Sequence, residues 1–479
     1  MPLVRIAQLC ALLVIAFTGC RSTPSGGVTS SPSNNPVAAA QSAPIEAADA
    51  PAISNVSFEE TLPSQDRRVD PAIKPESELS LAWLLEEVQN RNPSLQAMIA
   101  AWQAAAARYP QVVSLDDPMF MAMAAPASFD SRDVESAYVL QGSQKFPWFG
   151  KRAARGRVAQ NESSAAYHDV EDNRVRLAEA TRIAFFNYYV SFRQLELNRQ
   201  NLEVITQFRS TAQSRYRANQ VTQQDVLQAD VELAELERRA IELERGQRLA
   251  IARINTLLRE EPFAPLPPPP RELALPSGGL DADILQQLAI GQRPDLAAIA
   301  ARVRAEQASV TLATKEYYPD VEVFGRYDSF WQPAETQSEL RGQVGVNLNV
   351  PIYRDKLNAG VREKLSNLSQ LRAEYEQRVL DVRFEVATAY EQVNESRRTL
   401  ELYSSRLIPA SEQNVAAARS NYDVNKTSFL DLATAQRQLI ELREKREEAL
   451  AMYHARQAEL MRAVGASEDV TVVGVDEKH

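Results

Sequence analysis

One stretch of this chain occurs twice, and the duplication constrains the fold more than any other feature. The first copy begins at Arg215 and reads RYRANQVTQQDVLQA; the second begins at Asn421 and reads NYDVNKTSFLDLATA. At one constant spacing the copies share Tyr216 with Tyr422, Asn219 with Asn425, Asp225 with Asp431, and Ala229 with Ala435. Helices often end at a residue that tolerates the left-handed conformation, as Gly and Asn do. Each copy therefore predicts the tip of a helical hairpin in a tandem repeat.

Long helical patterns flank both tips. Each pattern leading into a tip covers about 70 residues, which as an α-helix is on the order of 100 Å. After the first tip, residues recur in clean steps of three and four: Val226, Ala229, Leu233, Leu236, Ala240, Leu243, Gln247, Ala250, Ile254 and Leu257. The equivalent series after the second tip is looser and includes Arg446 and Arg456. This period predicts coiled-coil packing, with the second hairpin the more mobile.

A strand-like pair precedes each long helix. Prolines at Pro110 and Pro319 are predicted to stop the preceding helices, and segments with period-two alternation follow. Val344, Val346 and Leu348 alternate with small or polar residues, which predicts a strand with one apolar and one polar face. Such a sheet can pack on a soluble core or face lipid. Four strands cannot close a barrel, so a membrane sheet would need several subunits.

The first twenty residues predict export. An apolar run of about a dozen residues after Arg5 is too short to span a bilayer and matches a secretory signal. The run ends Phe-Thr-Gly-Cys, which resembles a bacterial lipobox and predicts that Cys20 carries the lipid anchor, palmitate included. Ordinary signal cleavage beside an incidental cysteine is the alternative. Removal of Cys10 with the signal would leave one cysteine and no internal disulfide.

The whole chain is predicted to be mainly α-helical, with a small β part. Its composition is typical of long helices, with few glycines and many charged residues. The predicted segments are a signal peptide (1–19), a Pro/Ser/Ala-rich tether (20–78), the first repeat (79–260), a Pro-rich connector (261–279), the second repeat (280–465) and a tail (466–479).

Composition also excludes some classes of function. A net charge of −10 disfavours nucleic acid as a partner, because a phosphate backbone requires a basic surface. The three histidines, His168, His454 and His479, are far apart in sequence. No HExxH, phosphate-binding loop or nucleophile elbow is present. The chain is therefore predicted to be neither an enzyme nor a cofactor-binding protein.

The order helix, two strands, long helix, tip and helix, occurring twice, resembles the TolC family of outer-membrane efflux proteins. The resemblance covers about 79–465. It rests on the helix starts at Asn92–Leu95 and Arg293–Leu296, the strand-ending prolines Pro147 and Pro351, and the two tips. The run Phe-Pro-Trp-Phe-Gly-Lys that begins at Phe146 resembles the corresponding run in family members from metal-efflux systems.

This resemblance implies an outer-membrane location and a homotrimer. Three protomers would share a twelve-stranded β-barrel and a periplasmic α-barrel of long coiled-coil hairpins. The implied partners are a periplasmic adaptor, an inner-membrane pump of the RND type and outer-membrane lipid. Small solutes or metal ions would leave passively through the duct. The alternatives are a lipid-tethered coiled-coil scaffold without a pore and an outlet for secreted proteins.

The resemblance also implies a periplasmic gate at the tips. Asp225 and Asp431 match the family's tip aspartates, and Tyr422 matches a tyrosine that hydrogen-bonds to the neighbouring hairpin, here through Asp225. Tyr216, Asn219 and Asn425 complete the two tips. Where some members carry a basic residue this chain has Thr427. Independently of the family, a ring of carboxylates would attract cations, whereas a first-turn Asp also simply complements the helix dipole.

Three methionines, Met119, Met121 and Met123, alternate along the first predicted strand. Their thioethers are weak metal-site candidates, because sulfur ligands suit soft cations such as Cu(I) or Ag(I). The favoured prediction is apolar filling of a packed or lipid-facing strand, so no metal site is assigned.

Overall fold

The computed structural model describes residues 78–124, 138–273, 281–329, 341–424 and 426–466, all within one compact unit, Pro71–His479. The helices of the first repeat are α1 (Leu81–Arg91), α2 (Pro93–Val113), α3 (Lys151–Arg217) and α4 (Gln223–Leu258). Those of the second are α5 (Ala282–Gln292), α6 (Pro294–Lys315), α7 (Arg354–Leu402), α8 (Ile408–Asp423) and α9 (Phe429–Val464). Cys20, the tether up to residue 77 and the tail from residue 467 lie outside the described residues.

Four strands form one antiparallel sheet in the order of the sequence. They are β1 (Met119–Ala124), β2 (Tyr138–Phe146), β3 (Val321–Ser329) and β4 (Arg341–Leu348). β2 pairs with β3 along its whole length, so the sheet joins the two repeats. β1 and β4 are its outer strands. The predicted fold class is confirmed: long helices with a small four-stranded sheet.

The long helices form because apolar and small residues repeat at helical spacing and no glycine or proline interrupts the centre of α3. This helix is continuous over 67 residues, which corresponds to about 100 Å. In the second copy α7 and α8 are joined without a break by a π-helical turn, Tyr403–Leu407, just before Pro409. Proline has no amide hydrogen to donate, and a local widening of the helix accommodates that loss.

The prediction that Pro110 stops its helix is wrong by one turn. Proline lies inside α2, which continues to Val113. Its last turn is closed by Ser114, whose amide and hydroxyl both donate to the carbonyl of Pro110, at 3.2 and 2.6 Å. A proline so near the end removes only one helical hydrogen bond, so the helix tolerates it.

No helix among the described residues is both long and apolar enough to cross a membrane.

In both repeats a side chain at the start of the second short helix donates a hydrogen bond to a backbone carbonyl of the hairpin helix, but the residue type differs between the copies. In the first, Asn92 caps α2 and its side-chain amide donates to the carbonyl of Leu257, at 3.3 Å. In the second, Arg293 stands before α6 and donates to the carbonyl of Ala463, at 3.1 Å. Both contacts tie the start of a short helix to the end of the hairpin helix. Gly465 has a φ of 88° and approaches Arg293 so closely that a Cβ there would clash with its backbone.

Hydrophobic clusters stabilise each repeat where its short helices meet the long ones. In the first repeat, buried residues of α1 and α2 pack with Phe185 and Tyr188 of α3 and Ile254 of α4. In the second, Leu285 of α5 and Leu296 of α6 pack with Val382 and Val386 of α7. These clusters fix the base of the hairpins, and a third cluster lies at their tips.

Candidate functional site

The sheet register assigns every strand residue to one of two faces, because directly paired residues of an antiparallel sheet point the same way. One side, here called the apolar face, presents large hydrophobic side chains from all four strands. Its members are Phe120, Ala122, Tyr138, Leu140, Phe146, Val321, Val323, Tyr327, Val344, Val346 and Leu348. Phe120 is 84% exposed and Val344 is 85% exposed. A monomeric soluble protein rarely leaves such an apolar surface uncovered.

The opposite side, here called the polar face, carries charged and amide side chains. Its hydrophilic members are Gln141, Ser143, Lys145, Glu322, Arg326, Asp328, Gln343 and Asn347. Four of these groups pair with one another: the Arg326 Nε donates to the Asp328 carboxylate at 2.9 Å, and the Asn347 amide donates to Glu322 at 3.3 Å. The sheet therefore has one side suited to an apolar medium and one suited to water.

Met119, Met121 and Met123 lie on the polar face. Their register partners on β2 are Ser143, Gln141 and Val139, respectively. The apolar face of β1 is instead made by Phe120, Ala122 and Ala124. In the protomer all three side chains are exposed, with Met119 and Met121 opposite polar residues and Met123 opposite the buried Val139. That they fill a packed or lipid-facing surface stays a prediction.

A buried ionic joint connects the sheet to the long helices. Lys151, the first residue of α3, is 1% exposed, and its ammonium donates to Asp320 at 2.9 Å and to the Tyr318 carbonyl at 3.0 Å. The Asp320 carboxylate also accepts from the Trp148 amide at 3.0 Å. Trp148 stacks on Tyr318. The joint links the entrance of α3 in the first repeat to the start of β3 in the second.

The tip aspartates both lie in the first turn of a helix and both complete a capping box. The Asp225 carboxylate accepts from the Thr222 amide at 3.1 Å, and the Asp431 carboxylate accepts from the Ser428 amide at 3.1 Å. This arrangement satisfies the free amides at the helix start. Within the protomer the two carboxylates therefore act first as helix caps. Asp431 is exposed and Asp225 is half-buried.

The other predicted tip residues occupy varied settings. Asn219 has a φ of 57°, the left-handed conformation that the hairpin turn requires. Tyr216 is exposed, and Asn425 lies outside the described residues. The Tyr422 and Thr427 hydroxyls are buried without a hydrogen-bond partner in the described part of the chain. Within the protomer the Tyr422 hydroxyl does not hydrogen-bond to Asp225, and the tyrosine ring packs on Phe429. The tether between neighbouring hairpins stays a prediction.

The two hairpins are tied at the tip by a residue to which the sequence pattern assigned no role, Arg215 of α3. Its guanidinium donates to the Tyr422 carbonyl at 2.9 Å, and to the carbonyl and carboxylate of Asp423 at 3.3 and 3.2 Å. The guanidinium carbon lies 4.8 Å from the centre of the Tyr422 ring. It thus satisfies carbonyls at the end of α8, where a cation is also favoured by the helix dipole.

Tyr422 belongs to a small apolar cluster between the hairpins, with Ala229, Phe429, Leu432 and Ala433. Burial raises the pKa of the Tyr422 hydroxyl above its ordinary value, so the group is neutral at physiological pH.

Further along the hairpins, Arg437 of α9 pairs with Glu232 of α4. In the described residues, no group of three or more His, Cys, Asp or Glu side chains is placed to hold a metal ion.

Comparison with known proteins gives a family match over the second repeat. Residues 285–466 match the family described as outer membrane efflux protein. The chain is 22% identical over 302 residues to the cobalt-zinc-cadmium resistance protein CzcC of Cupriavidus metallidurans, covering 61% of this chain and 69% of that one.

Solved structures share the fold. The outer-membrane channel OprN is 23% identical with a TM-score of 0.65, covering 81% of this chain and 90% of its own. The outer membrane protein VceC of Vibrio cholerae is 19% identical with a TM-score of 0.68, covering 81% of this chain and 96% of its own. The resemblance inferred from the repeated motifs is confirmed by the family match over the second repeat and by the fold over most of the chain.

Proposed function

We propose that this protein, whose second repeat carries the outer membrane efflux protein signature, is the outer-membrane exit duct of a tripartite efflux pump. It would pass small solutes or metal ions outward without using energy itself, as a conduit and not as an enzyme. The similarity to a cobalt-zinc-cadmium resistance protein supports the metal branch of this class.

The observation that carries the proposal is the two-faced sheet. Every strand contributes exposed hydrophobic side chains to the apolar face and, except for β1, charged or amide side chains to the polar face. A lipid-facing barrel wall alternates in this way, apolar outward and polar toward the lumen. A soluble scaffold would gain nothing from an exposed apolar surface of this kind.

The two outer strands of the sheet, each paired on one side, support a trimer as part of the proposal. β1 and β4 are the outer strands, and a bilayer does not tolerate unpaired strand edges. In a closed barrel, β1 of one protomer would pair with β4 of its neighbour. The helical hairpins would then extend into the periplasm, where a membrane-fusion adaptor and an inner-membrane pump of the RND type are the proposed partners. Lipidation of Cys20 would add an anchor.

The tips are proposed as the gate of this duct. Arg215 joins α3 to the end of α8 across the two hairpins, and this contact would hold the closed end together in each protomer. The capped aspartates Asp225 and Asp431 would be repeated around the axis and attract cations. This chain has Thr427 where the family resemblance implies a basic residue in some members. Arg215 of the other hairpin would supply a positive charge near this tip instead.

Single-channel recording in planar lipid bilayers tests the proposal. The full chain, purified in detergent from outer membranes as a heat-resistant oligomer, is expected to insert and give discrete conductance steps. A lipid-tethered scaffold would give none and would be released as a soluble protein after Cys20→Ala. Bilayers that remain silent with oligomeric protein would overturn the channel assignment.

An outlet for secreted proteins predicts a different result in cells. Deletion of the gene would then block export of a protein while leaving tolerance to metals and drugs unchanged. The proposed duct predicts the reverse, with reduced tolerance to small toxic solutes.

A further inference from the structure

We propose that Met119, Met121 and Met123 form a thioether ladder on the lumenal wall, which binds soft monovalent cations such as Cu(I) or Ag(I) during transit. The inference rests on the proposed function, because it takes the polar face of the sheet as the wall of the duct.

The position of the methionines carries the argument. The β1–β2 register places all three on the polar face, opposite Ser143, Gln141 and Val139. Their exposed fractions are 71%, 41% and 52%, in chain order, so a solute on this face can contact the side chains. The chain has seven methionines, and three of them lie within this one short strand. Leucine or valine would fill an apolar surface equally well, but neither offers a sulfur atom.

The spacing suits passage from one site to the next. Alternate residues of a strand are about 7 Å apart along the chain. Methionine has three rotatable bonds, so neighbouring thioethers can turn toward a common ion. Met121 can therefore pair with either of the other two. Sulfur ligands of this kind select Cu(I) and related soft ions over zinc or cobalt. A pair of neutral thioethers without a chelating His or Cys holds an ion weakly, as transit requires.

The nearest cations on this face are themselves paired with carboxylates. Lys145 lies two residues from Ser143, the partner of Met119, and its ammonium is 3.8 Å from the Asp320 carboxylate. Arg326 shares the row of Met121 and Gln141, but it lies two strands away, at about 10 Å. Its charge is offset by Asp328, whose carboxylate accepts from it at 2.9 Å. The Gln141 side chain, directly opposite Met121, adds an amide oxygen that can replace part of the ion's hydration shell.

Silver binding to the purified full-length oligomer tests the ladder directly. Ag(I) nitrate is titrated in chloride-free buffer by calorimetry, with the triple variant M119L/M121L/M123L compared with the parent. Leucine keeps the volume and polarity of the side chain while removing sulfur. We expect the triple variant to bind Ag(I) at least about tenfold more weakly, whereas Met452→Leu, which removes an exposed methionine from α9, leaves the affinity unchanged. Equal affinity of parent and triple variant would overturn the proposal.

A gain-of-binding variant guards against misfolding as an explanation. Gln141→Met places a fourth thioether opposite Met121 and should tighten Ag(I) binding severalfold. No tightening would count against a lumenal site at this position.

Bilayer recording separates this inference from the proposed function. If the parent gives no conductance, the duct itself is refuted. If the parent conducts and micromolar Ag(I) interrupts its current, while the triple variant conducts without interruption, the ladder is supported. Conductance that Ag(I) affects equally in both proteins would refute the ladder and leave the duct intact.

Discussion

A single arginine at the hairpin tips shows how much depends on contacts that are distant in sequence. Arg215 donates to backbone carbonyls at the end of α8 more than two hundred residues away. It stands at the start of the repeated stretch, yet its counterpart in the second copy is Asn421. Repetition therefore predicted the tips, the left-handed Asn219 and the paired aspartates, but no local pattern marks a residue whose partners come from the other hairpin.

Removal of the Arg215 charge is expected to loosen the tip. Arg215→Gln loses charge-assisted hydrogen bonds at a partly exposed site, which we place on the order of 1 kcal/mol. A loss of that size changes the ratio of open to closed tips about fivefold. Planar-bilayer recording of the variant should show larger or more frequent openings than the parent.

Arg217→Gln is the matched control, since Arg217 is exposed at the end of the same helix. If both variants conduct like the parent, Arg215 does not hold the gate.

The charged cluster at the start of α6 makes a pH-dependent contribution to stability. Burial alone would raise the pKa of Asp295, but Arg293 and Arg378 hold this carboxyl below its ordinary range. A carboxyl with a depressed pKa stabilises the fold above its unfolded pKa of about 4, and that contribution is lost as the pH falls through the folded value. The pKa of Glu385 is lowered in the same way: burial raises it, and the hydrogen bonds and charges of Arg293 and Arg378 more than offset that rise.

Asp295→Asn should therefore lower thermal stability at pH 7 but much less at pH 3. The measurement is the melting temperature of the detergent-purified protein from pH 7 to pH 3. Asp283→Asn, at an exposed site on α5, should follow the parent throughout. A constant difference between parent and Asp295→Asn across this range would exclude the proposed linkage.

Among the elements, most helices and the strand β4 followed their sequence signals, whereas the faces of β1 had no such signal. Heptad spacing predicted α4 and α9 because a helix with one buried seam repeats at that period. The strand β1, MFMAMA, has no polar alternation, so its two faces could not be distinguished from the sequence alone. Only pairing with β2 assigns the methionines to the polar face. The effect of Pro110 could not be predicted from the residue type alone. Because it lies within one turn of the end of α2, it does not stop the helix.

The joint between sheet and helices is expected to be sensitive to a single charge removal. Lys151→Met keeps the length of the side chain but leaves the buried Asp320 carboxylate with only the more distant and more exposed Lys145, at 3.8 Å, as its cation. Removing one partner of a buried ion pair costs about 3–5 kcal/mol. The melting temperature of the purified protein should fall markedly in this variant.

The double variant, Lys151→Met with Asp320→Asn, should recover part of the loss because no buried charge is left at the joint, and the amide oxygen of Asn can still accept from Trp148. Strictly additive losses in the two single variants would argue against direct coupling.

At the scale of the whole molecule, duplication with divergence accounts for the architecture. Each repeat supplies two strands and one long hairpin, and β2 and β3 join the repeats in one sheet. The second hairpin was predicted to be the more mobile, because arginines interrupt its seam. In the structure Arg446 pairs with Glu447, Arg456 pairs with Glu459, and α9 buries more residues than α4. Its mobility stays a prediction, and these contacts weigh against it.

The central claim is that the sheet forms a membrane wall with lipid on one side and water on the other. Spin labels at Val344→Cys and Gln343→Cys, adjacent residues on opposite faces of β4, test it in reconstituted liposomes. The parent chain corrects for labelling at Cys20. We predict that the label at residue 344 is relaxed mainly by oxygen, which dissolves in lipid, and the label at 343 mainly by a water-soluble nickel chelate. Equal accessibility of both labels to the nickel chelate would contradict the account.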